Sequence, residues 1–435
     1  MKAIMIAGTH SGCGKTTVTL ALLSALTHMG LKVQAFKAGP DFIDKGLHQI
    51  ATGTTSRNLD MVMCGRDYVC HSFLKHSSKA DISVIEGVMG LYDGDYSTYK
   101  LAEILKVPII LVVDATGIAE SIGAVVKGYL QYDTQGLIKG IIFNKVSSQR
   151  HYDRINKAKF DVGILGHLTK DSLIKIPKRH LGLTVFEEKP LHNEALQRLI
   201  DNTMKNIDVN QIITLSSTDL NESSFYDQRH KLFNKLPQNP IIALAYDKAF
   251  CFYYEDNLDY FRDIKGEIIR FSPLSDSNLP KADMLYLGGG YPELYAKALS
   301  ENKSMIDSVK EWVHSAMPLY AECGGMMYLS QGIFDLDNNY HKMVGIYNFQ
   351  TKMIHKISRL GYRFVDVKED CVLCDKAVTV AGHEFHYSEI VGNYPLRNIY
   401  DVKDIDNKPV DTGGYLFKNT LASYVHIHFY SQSIK

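Results

Sequence analysis

The residues best suited to covalent chemistry are one cysteine and two histidines far apart in the chain. Residues 317–322, MPLYAE, read as a strand, and Cys323-Gly324-Gly325 follows ahead of a helical segment. A small-residue turn at that junction lifts the sulfur out of the sheet and sets it near a helix N-terminus, which lowers the pKa of a thiol. Residues 284–291, MLYLGGGY, form another strand running into glycines. The Gly324 amide with that of Gly289 or Gly290 then suits an oxyanion hole. A nucleophile needs a base, and LASYVHIHF at 421–429 offers one. Read as a single strand, it sends His426 and His428 to the same face, because side chains alternate with a period of two. One histidine meets Cys323 and the other orients or polarises it. The plainer alternative is a buried cysteine among satisfied core histidines.

A different chemistry is written near the N-terminus. In residues 3–29, AIMIAGTHSGCGKTTVTLALLSALTHM, a short apolar run suits a buried strand, a glycine-rich turn follows, and a helical segment begins near Lys15. Amides around Gly12 and Gly14, and those of the first helical turn with Thr16 and Thr17, can curl about an anion. Lys15 adds a point charge for phosphate, and Thr16 carries the hydroxyl expected beside Mg²⁺. The usual pattern has a glycine where Thr9 stands, and Gly8 comes one residue early. This is a variant phosphate loop, with ATP the expected ligand; a structural glycine turn is the alternative.

Several strands end in residues that fit the same site. LKVQAFKA at 31–38 runs into Gly39-Pro40-Asp41-Phe42-Ile43-Asp44. Lys37, Asp41 and Asp44 therefore sit at a sheet's carboxyl edge, where cations and substrates bind, although Asp44 would equally cap the next helix. The strand at 82–85 delivers Glu86, the first choice for the carboxylate of a Mg²⁺–nucleotide site. Its glycine-dense loop, through Asp93, is expected to face a ligand. Asn144 ends the strand at 137–144 and is placed to meet the adenine edge, or to form a turn. Arg179 and His180, in IPKRHLGL, suit an acidic substrate or the transferred phosphate, or a solvated surface.

The elements that must position these residues are α/β throughout. Apolar strands alternate with helical segments across the first half, which argues for a mostly parallel sheet covered on both faces. The pattern weakens over 212–239, and a fresh apolar strand starts at 240. The expected domains are 1–235 and 236–435. The chain of 435 residues carries 48 basic and 48 acidic side chains, a balance without the basic footprint of nucleic-acid binding. No run of eighteen apolar residues is present, so no membrane span is expected. A signal peptide would have to contain the first core strand, and none is assigned. Seven cysteines lack framework spacing, which fits a reducing cytoplasm. Cys371-Val-Leu-Cys374 has no second pair and reads as ordinary buried or turn cysteines. A homodimer is left open.

The loop resembles that of the dethiobiotin synthetase and ParA-type ATPases. The cysteine half resembles the class I glutamine amidotransferases, in which a glutamate stands two positions beyond the histidine; here that position is His428, a departure characteristic of the branch that amidates corrinoid precursors. With KAGPDFID, EGVMGLYDG, IPKRHLGL, YDKAFCFYYEDNL, FSPLSD, LGGGYPELYA, YAECGGMMYL, GHEFHYSE and YVHIHF, the chain resembles the cobyrinic acid a,c-diamide synthase family from residue 4 to 429. The resemblance implies a P-loop synthetase domain followed by a glutaminase domain. It implies ATP, Mg²⁺ and L-glutamine, with amidation of the c and then the a acetate of a tetrapyrrole. By resemblance Lys15 and Thr16 bind phosphate and Mg²⁺, and Asp41 or Asp44 and Glu86 lie near metal and the activated carboxylate. Cys323 and His426 generate ammonia. Arg179 and His180 are candidates for the acyl-phosphate side, and His383 and His386 for a place near the domain interface, or as surface histidines. Hydrogenobyrinic acid and nickel-sirohydrochlorin a,c-diamide synthases share these motifs, and an ATPase without amidotransferase activity would explain the first half alone.

Overall fold

The computed structural model describes residues 1–170, 193–220, 232–392 and 395–431. They divide into two compact units: of the described residues, the first takes 1–61, 66–170 and 193–220, and the second 62–65 and those from 232 onward. Arg179 and His180 lie outside the described residues.

The first unit holds strands β1 (Ala3–Gly8), β2 (Val33–Ala38), β3 (Arg57–Leu59), β4 (Ile82–Glu86), β5 (Ile109–Asp114), β6 (Ile138–Val146) and β7 (Gly163–Thr169). Its helices are α1 (Lys15–His28), α2 (Asp44–Thr52), α3 (Met61–Ser77, broken at Gly65), α4 (Thr98–Leu105), α5 (Ile122–Tyr132), α6 (Gln149–Ile155), α7 (Asn193–Asn206) and α8 (Val209–Leu215). The seven strands are parallel, in the order β3-β2-β4-β1-β5-β6-β7. As expected for a sheet covered on both faces, β1 is buried along its whole length. Helix α1 is apolar nearly all round, from Leu20 to Leu26, and is sunk into the core against residues of β1, β2, β4, α7 and α8. Register aligns Glu86 with Ile6 on one side and with Lys37 on the other. The carboxyl ends of β1, β2 and β4 therefore meet at one place.

The second unit continues with β8 (Ile241–Ala245), β9 (Phe250–Phe252), α9 (Glu255–Asp263), β10 (Glu267–Phe271), β11 (Met284–Leu287), β12 (Gly289–Gly290), α10 (Ala296–Glu301) and α11 (Lys303–His314). Then come β13 (Leu319–Glu322), α12 (Gly324–Leu329), β14 (Ser330–Phe334), β15 (Tyr340–Lys342), β16 (Tyr347–Met353) and β17 (Arg359–Val367). The last strands are β18 (Thr379–His386), β19 (Ser388–Val391), β20 (Tyr400–Lys403), β21 (Gly414–Phe417), β22 (Thr420–Ser423) and β23 (His426–Ile427). A six-stranded sheet, β10-β8-β11-β13-β22-β21, is parallel except for its last pair. A four-stranded antiparallel sheet, β20-β17-β18-β23, and another four-stranded sheet, β15-β14-β16-β19, complete the unit with the small β9–β12 pair. Cys371 and Cys374 close a buried turn, with the Cys371 N–H donating to the Cys374 carbonyl at 3.0 Å.

One expectation is overturned here. Residues 421–429 are not a single strand. β22 stops at Ser423, and β23 begins at His426 in the antiparallel sheet beside β18. Backbone hydrogen bonding therefore changes partner in mid-segment, and β23 ends before His428. Just beyond, Phe429 is buried among Phe233, Tyr260, Phe261, Tyr286 and Tyr320, with ring centroids at 4.9, 5.8, 5.6, 5.7 and 5.9 Å. Phe429→Ala is expected to destabilise the second unit by about 3–5 kcal/mol, read as a lowered urea midpoint of its unfolding transition.

Candidate active sites

In the first unit the loop between β1 and α1 has the form that phosphate binding requires. Gly14 adopts φ 96°, and a Cβ there would lie 1.9 Å from Asn144 Nδ2. Only glycine lets the loop close against that side chain. Asn144 Nδ2 donates to the Cys13 carbonyl at 2.9 Å. Asn144 thus braces the phosphate loop, a contact beyond the adenine-edge or turn-forming role expected from the sequence. Lys145, which sequence reasoning passed over, donates to the Gly12 carbonyl at 2.8 Å and pairs with Asp114 at 2.6 Å. Lys15 Nζ donates to the carbonyls of His10, at 3.3 Å, and Met89. Burial lowers the Lys15 pKa. Thr16 and Thr17 fall in the first turn of α1, as expected.

Behind the loop lies a buried ionic network. Thr16 Oγ1 donates to Glu86 Oε1 at 2.6 Å, and Lys37 Nζ donates to the same oxygen at 3.0 Å. Glu86 Oε2 pairs with His48 Nε2 at 2.7 Å, and His48 Nδ1 lies 3.0 Å from Ser56 Oγ. Lys37 also bridges to Asp44 at 2.7 Å. Burial alone would raise the pKa of Glu86, but Lys37, His48 and Thr16 outweigh it and hold the carboxyl well below its usual range. Burial also opposes the Lys37 ammonium, and Glu86, Asp44 and Asp41 together keep its pKa above the ordinary lysine value. Burial, reinforced by the charge of Glu86, raises Asp44 against the pull of Lys37.

Three carboxylates read as candidates have defined structural partners. Asp41 Oδ1 accepts from the Ile43 and Asp44 amides at 2.7 and 2.9 Å, so the cap before α2 comes from Asp41 and Asp44 joins the ion network instead. Asp93 Oδ2 accepts from the Gly90 amide at 2.7 Å and shapes the glycine-dense loop. His48 was missed, although its spacing of four from Asp44 on α2 puts both on one helix face.

In the second unit Cys323 joins β13 to α12 with φ 47° and ψ −103°, a strained backbone of the kind found at functional turns. A Cβ on Gly324 would lie 3.2 Å from the Gly290 nitrogen, and one on Gly289 would lie 2.4 Å from His426 Cε1. The glycines read as oxyanion donors thus pack around the elbow and its histidine. His426 lies beside Cys323, close enough for the two to act on each other electrostatically, and its Nδ1 lies 3.7 Å from Glu322 Oε2. Burial opposes the imidazolium, but Cys323 and Glu322 overcome it and raise the His426 pKa to about 10.

His428 does not take the part of orienting His426. Its Nε2 faces Asp256 Oδ2 at 3.8 Å, and its ring lies 5.1 Å from that of Tyr254, because the chain has left β23. The carboxylate beside His426 belongs to Glu322. His383 pairs with His426 across β18 and β23. His386 stacks on Tyr424 with centroids 3.8 Å apart and pairs with Glu384 at 2.9 Å. Both histidines thus belong to the unit of the thiol. Arg359, Glu384, His386, Asp411, Thr412 and Tyr424 are among the residues lining a cavity of about 390 Å³. Ser388, on its wall, bonds the Tyr424 hydroxyl at 2.8 Å and touches Met327 of α12 at 3.7 Å, one turn beyond Cys323.

Two domain families match these halves. Residues 4–183 match the CobQ/CobB/MinD/ParA nucleotide binding domain, and 241–434 the CobB/CobQ-like glutamine amidotransferase domain. A phosphate loop in one unit and a thiol–imidazole elbow in the other define a glutamine-dependent, ATP-driven amide ligase. Proteins called cobyrinate a,c-diamide synthase match at full length: 41% identity in Caldanaerobacter subterraneus subsp. tengcongensis, over 99% of this chain and 96% of that protein. The corresponding protein of Listeria monocytogenes serotype 4b is 40% identical over 99% and 97%, and that of Saccharolobus solfataricus 39% over 99% and 98%. This chain belongs to the cobyrinate a,c-diamide synthase family. Among the described residues no helix is long and apolar enough to cross a membrane.

The network around Glu86 has a pH signature. A carboxyl held below its ordinary 4.5 contributes stability that is present above that pH and lost as pH falls toward the depressed value. Lys37→Met is expected to cost about 3–5 kcal/mol at pH 7 by leaving buried carboxylates without their cation. The gap from wild type should narrow below pH 4.5, and urea titrations at pH 7 and pH 4 measure it.

Proposed function

We propose that this chain amidates the a and c acetate carboxylates of cobyrinic acid, using ATP and glutamine, through acyl-phosphate intermediates. The observation that carries the reading is the full-length likeness to proteins of that name by a chain that also has both reactive centres. Residues 1–235 act as the synthetase and 236–435 as the glutaminase.

In the glutaminase, the Cys323 sulfur, its proton held on His426, attacks the carboxamide carbon of glutamine. Amides at Gly324 and at Gly289 or Gly290 receive the oxyanion, and His426 returns the proton to the departing ammonia. Water then hydrolyses the γ-glutamyl thioester to glutamate. The cavity beside Tyr424 takes the amino-acid end of glutamine, with Arg359 for its α-carboxylate and Glu389 or Asp411 for its ammonium.

In the synthetase, the γ-phosphoryl group of ATP passes to a substrate carboxylate, while Lys15 and the first amides of α1 stabilise the phosphate charge. Mg²⁺, when bound, neutralises phosphate charge. The oxygen donors of Thr16 and Glu86, side by side at 2.6 Å, fit such a hard cation. Ammonia displaces phosphate to give the amide, and exclusion of water protects the acyl phosphate.

Product mass spectrometry with ATP, Mg²⁺, glutamine and a panel of cobyrinate, hydrogenobyrinate and nickel-sirohydrochlorin tests the substrate. Cobyrinate diamide should dominate. A preference for another member of the panel reassigns the substrate, and no amide from any of them overturns the reading. Cys323→Ala should lose glutamine use while amidating with free ammonia. Arg359→Leu should raise the KM for glutamine about tenfold, the loss of roughly one charge-assisted contact, with a much smaller effect on kcat.

A further inference from the structure

Glu322 is buried at 1% exposure on the last residue of β13, directly before the elbow cysteine. Its Oε1 accepts from the Tyr320 hydroxyl at 2.8 Å and from the Ile427 amide at 3.0 Å, and its Oε2 accepts from the Tyr286 hydroxyl at 2.9 Å. The three donors are neutral, so they orient the carboxylate without cancelling its charge. Burying that charge is costly unless a cation stands nearby. His426 Nδ1 is 3.7 Å from Oε2, within ion-pair range and beyond hydrogen-bond length. A glutamine of the same shape could accept from Tyr320 and Ile427 at its oxygen and donate from its amide nitrogen to a reversed Tyr286 hydroxyl, at lower desolvation cost, so a purely structural role does not account for a charge here.

Resting on the reading of Cys323 as the glutaminase nucleophile, we infer that Glu322 is the positioning carboxylate of this site, replacing the acid that the chain lacks at position 428. It acts on both partners at once. Through the peptide bond it is tied to Cys323, and through the Ile427 amide it holds the strand that carries His426. With Nδ1 turned toward Glu322, Nε2 is left for the proton exchanged with the thiol, and the carboxylate stabilises the imidazolium formed in that exchange.

Among the described residues, the titratable groups around the pair include Cys323, Tyr253 following β9, Tyr286 on β11, Tyr320 on β13, His383 on β18 and Tyr400 on β20. Burial first, and the charge of Glu322 with it, raises the pKa of all four tyrosines well above the ordinary value. They stay neutral through the range in which His426 loses its proton, near pH 10.

The test compares full-length wild type with Glu322→Gln, measuring kcat/KM for glutamine hydrolysis and the iodoacetamide alkylation rate of Cys323 against pH. The alkaline limb should move down by about one pH unit or more, and glutamine turnover should fall at least tenfold, as for a lost acid–base partner. His428→Gln should leave the limb in place. A limb unmoved in Glu322→Gln while wild type hydrolyses glutamine overturns the role of Glu322. Absence of glutamine hydrolysis in wild type overturns the functional reading beneath it. If circular dichroism finds Glu322→Gln unfolded, Glu322→Asp decides instead. It keeps the charge and should keep the limb close to that of wild type, so displacement by a full unit there also overturns the proposal.

Discussion

A carboxylate buried at the carboxyl end of a parallel strand must be compensated where it stands, and each unit is arranged around one. Glu86 ends β4 and is held by a threonine, a lysine and a histidine drawn from three other elements. Glu322 ends β13 and is held by two tyrosines and a backbone amide, with an imidazole opposite. Parallel sheets bring strand ends together at one edge, so they concentrate such groups and the helix N-termini that face them. The two environments differ in kind. Around Glu86 fixed cations dominate and the charge stays in place, which suits a pole for phosphate and metal. Around Glu322 the orienting donors are neutral, so the charge remains available to a proton-carrying neighbour.

Much of this was legible from local pattern. The strand–loop–helix at Lys15, the apolar strand ending in Glu86 and the cysteine turn each combine a strong hydrophobic period with a special residue at its end, and each occurs as read. The full-length family motifs carried the assignment of class. What the local pattern could not supply was partnership. Asn144 at a strand end is equally fit to meet a base or to form a turn, and its closeness to Gly14 and Cys13 is a partnership the pattern does not announce. Asp44 reads as a possible cap in the sequence, yet Asp41 takes the amides at the start of α2 and Lys37 draws Asp44 into the ion network.

The misreading of 421–429 has the same origin. Alternation is real in LASYVHIHF, but hydrogen-bond partners are not encoded in period two. The chain leaves one sheet and enters another within two residues, so the inference that both histidines serve the thiol fails at His428. Glu322 was visible throughout as an acid at the end of a buried strand, the same signal that singled out Glu86. The sheets built from β14 to β20 carry no comparably strong local signal.

That passage from β22 to β23 has a mechanical consequence. The sulfur is anchored to the parallel sheet and the imidazole to the antiparallel one, with Tyr424 and Val425 as the link between them. Proton exchange between the two falls steeply with separation, and a slip of about 1 Å can cost on the order of a hundredfold in rate. The thiol's reactivity is therefore a strain gauge for the seam between two sheets. Any force that shears one against the other would throttle the thiol's chemistry without touching the sulfur or the imidazole.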